Sequence, residues 1–147
     1  MKLSEAILLG STQLSLDPRF WLCNDGGCLI GMGGYAAGVR YIEDWEERQS
    51  SADEIEQIKA IWPWISEDRD VPQFLQELPR YSMVYPYFFV DQRGRDKVKA
   101  IISSMACHIK VGHMTLEQAV DWIRENEPQE PEAVQPAAKE EKIYAAQ

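Results

Sequence analysis

Val98, Ile101, Ile102, Met105 and Ile109 recur three, four and seven positions apart, which stacks them in one stripe on a helix of 3.6 residues per turn. Gly112 breaks that pattern. Thr115 then offers an N-cap and Gln118, three residues on, completes a capping box. Leu116, Ala119, Val120 and Ile123 form a second stripe, with Glu117 in the first turn and Arg124 in the last, each complementing the helix dipole. Two apolar stripes joined by so short a turn must share one core. The pattern predicts a C-terminal αα-hairpin.

The same periodicity places Leu3, Ala6, Ile7, Gly10 and Leu14 on one face of an amphipathic helix over 3–14, with Ser4 as its N-cap. Residues 15–25 hold Pro18 and run into Asn-Asp-Gly-Gly, the composition of a loop or short extended piece. Further on, Ser51 and Glu54 read as a capping box for a helix whose Ile55, Ile58, Ile61 and Trp62 face inward and which Pro63 stops. Asp70 is placed as the cap of a brief helix over VPQFLQEL, with Pro72 in its first turn. Residues 80–90 are aromatic and β-branched and predict an extended segment or short hairpin, confined to an edge by Pro86.

The stretch 26–39, GGCLIGMGGYAAGV, admits two readings. Gly31-Met32-Gly33-Gly34-Tyr35-Ala36 matches G-x-G-x-x-A, a phosphate-cradling loop, but the strand before it would be barely three residues long. The alternative is a helix with Gly27, Gly31, Gly34 and Gly38 along one flank and Cys28, Met32, Tyr35 and Val39 on the adjacent face. Interior glycine costs about 1 kcal/mol relative to alanine, which close approach of another helix along the glycine groove would offset. The helix is favoured.

These elements fit a mainly α fold: one small helical bundle over 1–127. Residues 128–147, rich in Pro and Glu, form a solvated tail. The chain of 147 residues suffices for one core, and 45% hydrophobic content with five Trp and six Tyr is that of a folded domain. The formal net charge of −9 lacks the basic footprint of a nucleic-acid binder and directs attention to basic partner surfaces. Three cysteines, an odd number, argue for a reducing compartment, and no apolar run is long enough to span a bilayer. The cytoplasm is the expected location.

Candidate chemistry gathers at the predicted hairpin corner, where Cys107, His108 and His113 lie. Cys23-x4-Cys28 and His108-x4-His113 together would supply four donors for zinc. A hydrogen-bonded histidine pair is the simpler alternative, and Cys28 on an apolar face would behave as a small hydrophobe. Cys107 and His108 are adjacent and project about 100° apart on a helix, so they do not form a nucleophile–base pair, and no oxyanion-hole residue can be named. The carboxylates at Asp44, Glu46, Glu47, Asp53, Glu54 and Glu56 read as solvated helix faces.

Several pieces, in order, resemble a family of short bacterial and phage-associated proteins without assigned activity. They are Lys2-Leu3-Ser4-Glu5-Ala6-Ile7 with Leu9-Gly10, Cys28-Leu29-Ile30-Gly31, Trp62-Pro63-Trp64-Ile65, and His108-x4-His113 followed by Thr115-x-Glu117-Gln118-Ala119-x-Asp121-Trp122-Ile123 and Glu127-Pro128. The resemblance implies a zinc site at the histidine pair, which in that family follows a Cys-x-x-Cys knuckle. Here residues 70–95 contain no cysteine, so Cys23, Cys28 or Cys107 would have to substitute.

The expectation is a small acidic protein without catalysis that binds another macromolecule, in a regulatory or accessory role of the phage type. Its contact surfaces would be the glycine-flanked helix (Gly27, Gly31, Gly34, Gly38) and the aromatic segment at Tyr85 and Tyr87. The partner would be a protein, with no direct nucleic-acid or membrane binding, and an exposed glycine groove would favour a homodimer. Zinc binding at His108 and His113 with Cys107, Cys23 or Cys28 is the alternative, and nucleotide binding at Gly31–Gly34 the weaker one. No other cofactor is expected.

Overall fold

Helix α1 (Leu3–Gly10) begins after Lys2, so its apolar residues Leu3, Ala6 and Ile7 are wholly buried while Glu5 faces solvent. Two turns alone are marginal in water, and tertiary packing must hold such a helix. Most of that packing is against α2 (Leu29–Ala36), with a second contact to α6 (Leu116–Asn126). The computed structural model describes residues 1–42, 53–78 and 94–129.

The remaining described elements are β1 (Ser15–Leu16), β2 (Gly26–Gly27), α3 (Asp53–Ile61), a 3-10 turn at Pro63–Ser66, β3 (Asp68–Asp70), the single turn α4 (Gln73–Gln76), β4 (Arg95–Lys97) and α5 (Val98–Lys110). The architecture is mainly α. Strands β1 and β2 pair in parallel, and β3 and β4 pair antiparallel. None of the helices among the described residues is long and apolar enough to cross a membrane.

The glycine-rich stretch is a helix, and it is the hub of the core. Leu29 through Gly34 are all buried, and α2 touches α1, α3 and α5. Its glycines are filled from three directions within the chain. A side chain on Gly31 would collide with the carbonyl of Trp21, one on Gly33 would lie 2.9 Å from Leu3, and one on Gly34 would lie 2.6 Å from Ile58. On the facing helix, Gly10 abuts the Met32 backbone, so α1 and α2 meet without side chains between them. The expected groove exists only over the helix's own glycines: Gly31 and Gly34 are buried in it, Gly27 lies before the helix in β2, buried against Trp21 and Leu22, and among these positions only Gly38, after the helix, is exposed. An α-helix at Gly31–Gly34 also replaces the phosphate-cradling loop, because the helix itself takes up its later backbone N–H groups.

The C-terminal pair of helices forms as the periodicity predicts. In α5, Val98, Ile101, Ile102 and Met105 are fully buried; the helix ends at Val111, and Gly112 turns the chain with φ of +86°. The Thr115 hydroxyl accepts from the Gln118 N–H at 3.1 Å and the Gln118 side chain accepts from the Thr115 N–H at 2.9 Å, closing the capping box of α6.

Four local assignments differ. Helix α1 stops at Gly10, where the chain turns into β1, and its N-cap is Lys2. Ile61 is 42% exposed, since α3 turns it outward as the chain bends into the Trp62 corner. Asp70 lies in β3, and Pro72 precedes α4. Glu54 is buried instead of solvated and accepts a hydrogen bond from the Ile42 N–H at 3.1 Å. The predicted extended segment at 80–90, with Tyr85 and Tyr87, and Ser51 and residues 130–147 lie outside the described residues.

Candidate functional site

The last turn of α5 carries Cys107 and His108 inward, and Gly112 brings the chain back so that His113 stands beside His108. The His113 N–H donates to the His108 carbonyl at 2.8 Å, which fixes the turn. The two Nδ1 atoms lie 3.0 Å apart, with ring centroids 5.2 Å apart and planes tilted by 34°. At that distance the Nδ1–H of one ring can donate to the Nδ1 of the other, which tautomer each ring takes setting the roles. His108 is fully buried and His113 is exposed. Burial, with a smaller contribution from the His113 charge, holds the His108 pKa below its ordinary value.

None of the three cysteines is in a disulfide, and their surroundings differ. Cys28 caps the N-terminus of α2, its Sγ 3.8 Å from the Trp21 carbonyl. Burial pushes its thiol up to about 11, against the pull of the Gly31 and Ile30 N–H groups and with Cys107 adding to the rise. A thiol so disposed is protonated at neutral pH. Cys107 is buried on α5, and Cys23, half-buried, lies 3.8 Å from Asp25.

Two imidazole nitrogens 3.0 Å apart are close to the edge of a zinc tetrahedron, about 3.3 Å for bonds of 2.0–2.1 Å. The histidines therefore fit two corners of a site. Among the described residues, no group of three or more His, Cys, Asp or Glu side chains is gathered to complete it.

An apolar depression of about 210 Å³ opens where β1, α2, the end of α1, the end of α5 and the start of α6 meet. Leu14, Leu16, Leu29, Met32, Ile109 and Leu116 line it, and its one polar wall residue, Ser11, spends its hydroxyl on the Leu8 carbonyl at 2.7 Å. Lys110, next in sequence to Ile109, acts electrostatically on Asp17, which also holds Arg19 through paired bonds of 2.9 Å. The Arg19 bond is the chief reason the Asp17 carboxyl lies below its ordinary range. Sequence reasoning missed this depression because its walls come from five separated segments. Each contributes one or two residues that, alone, read as core.

No family model, no curated protein and no solved structure matches the chain.

Proposed function

We propose that this acidic helical protein acts without catalysis, by binding another protein through the apolar depression between α1, α5 and α6. The observation that carries the reading is the depression itself: six apolar side chains around about 210 Å³, with a hydroxyl that is already engaged. A concavity of that size and lining suits one bulky apolar side chain from a partner. The formal net charge of −9 favours a partner whose surrounding surface is basic. The test pairs wild type with Leu116→Lys, which puts a charge at the mouth, and uses circular dichroism to verify the fold. A partner isolated with the wild-type protein should bind the variant at least about tenfold more weakly by calorimetry, the loss typical of a central contact. Equal affinity for both proteins would sink the proposal.

A second reading is favoured by the 3.0 Å separation of the histidine nitrogens: a divalent metal held by His108 and His113, its remaining positions filled by a further donor. Elemental analysis of the tag-free protein decides it. About one equivalent of zinc, lost in His108→Ala/His113→Ala, carries this reading, and metal-free wild-type protein ends it.

A further inference from the structure

We infer that the β3–β4 ribbon is an ionic latch, whose register is set by charge and whose closure weakens with salt. Residues Asp68-Arg69-Asp70 face Arg95-Asp96-Lys97 in the order Asp68–Lys97, Arg69–Asp96 and Asp70–Arg95, so all three opposed pairs are opposite in charge. Two are closed as ion pairs, Lys97–Asp68 at 3.1 Å and Arg95–Asp70 at 2.9 Å. Neither strand has a buried residue, so no hydrophobic face selects the pairing, the situation in which strand register is ordinarily weakest.

Charge supplies what burial does not. Slipping one residue either way sets like against like twice: Asp68 on Asp96 with Arg69 on Arg95, or Arg69 on Lys97 with Asp70 on Asp96. Like charges directly opposed destabilise a ladder where opposite charges support it. The ribbon's ends are tied to the core on both sides. The Val98 N–H donates to the Glu67 carbonyl at 2.9 Å and leads into the buried start of α5, while the Val71 N–H donates to the Gly94 carbonyl at 2.7 Å. The two ion pairs thus join the segment that leads to Val71 to the segment that starts at Gly94. Since these side chains are exposed, mobile ions screen them readily; at 1 M salt the screening length is about 3 Å.

The test is amide hydrogen exchange on the full chain at 0.02 and 1 M sodium chloride, read at Arg69, Val71 and Val98 with the α6 amides as internal reference. Protection of the ribbon amides relative to α6 should fall at least about threefold at high salt, in keeping with several screened cross-strand pairs. Asp70→Arg, which opposes Arg95 with a like charge, should lower protection at low salt, and Asp70→Arg/Arg95→Asp should restore it. Ribbon protection that ignores both salt and the single reversal would overturn the inference. So would a charge swap that fails to recover protection while α6 remains protected.

Discussion

Glu127, just past the end of α6, closes the N-terminus of α1. Its carboxylate accepts the Ser4 N–H at 3.2 Å and the Ser4 hydroxyl at 2.6 Å, and both residues are buried. The N–H groups of a helix's first turn lack partners within the helix, and an acidic side chain there also meets the positive end of the dipole. Helix α1 takes that side chain from the far end of the sequence. Ser4 does not cap by itself; it is the second contact of a distant cap.

Glu127→Ala should therefore cost about 1–3 kcal/mol of unfolding free energy, the usual consequence of leaving buried donors without an acceptor. Ser4→Ala should cost less, because Glu127 keeps the backbone N–H. Urea denaturation of both single variants and the double variant should give losses that do not add, since the two residues share one interaction. Fully additive losses would show that the contact contributes nothing of its own.

The position of His108 sets a pH dependence. Its pKa is lowered in the fold by burial, then by His113, so the unfolded chain binds the proton more readily. Stability should fall as pH drops below about 6.5, the ordinary histidine value, and the loss should level off below the folded-state pKa. His108→Gln removes the titrating group. The stability difference between wild type and this variant should shift against the wild type from pH 7.5 to pH 5.5. A constant difference would contradict the argument.

Glycine-to-alanine substitution ordinarily helps a helix by about 1 kcal/mol. Here Gly31→Ala should do the reverse, by about 1–3 kcal/mol or more, because the new methyl meets the Trp21 carbonyl and backbone must move. Gly38→Ala has open space around it but a φ of +104°, so its smaller cost is conformational strain. Thermal melts rank the two, and a Gly31→Ala protein as stable as wild type would refute the close approach.

Thr115→Ala removes the hydroxyl that accepts the Gln118 N–H and should cost about 1 kcal/mol. Thr115→Ser, which keeps the cap, should stay close to wild type in the same denaturation series. Equal losses in the two variants would mean that the capping box is not what stabilises the start of α6.

Legibility tracked sequence distance. Helices α5 and α6 could be read because stripe, breaker and capping box lie within a few residues of one another, and the glycine helix could be read from its spacing. The direction in which its glycines pack could not, since Leu3, Trp21 and Ile58 reach them from three other parts of the chain. The same limit hid Ser4–Glu127 and the apolar depression. Glu54 was misread for a related reason: it sits in an acidic run that looks solvated, yet the Ile42 N–H draws it inward. The tripeptides Asp68-Arg69-Asp70 and Arg95-Asp96-Lys97 are complementary in charge, but charge alone does not say which charged tripeptides meet. At the histidine corner, the local turn was legible and the opposite roles of the two imidazoles were not.

The dependence of α1 on α6 bears on how the protein is made. Leu3–Gly10 is synthesised well before α6, yet this two-turn helix lacks the Glu127 contact and one of its packing walls until Glu127 has emerged. Contacts of such long sequence separation slow folding, because the loop must close before the contact rewards it. Leu3 and Ile7 can pack on α2 once that helix has been made, but the cover that α6 gives α1 comes only some eighty residues later. Among the described residues α6 is the last helix made, so the cap of α1 waits for it.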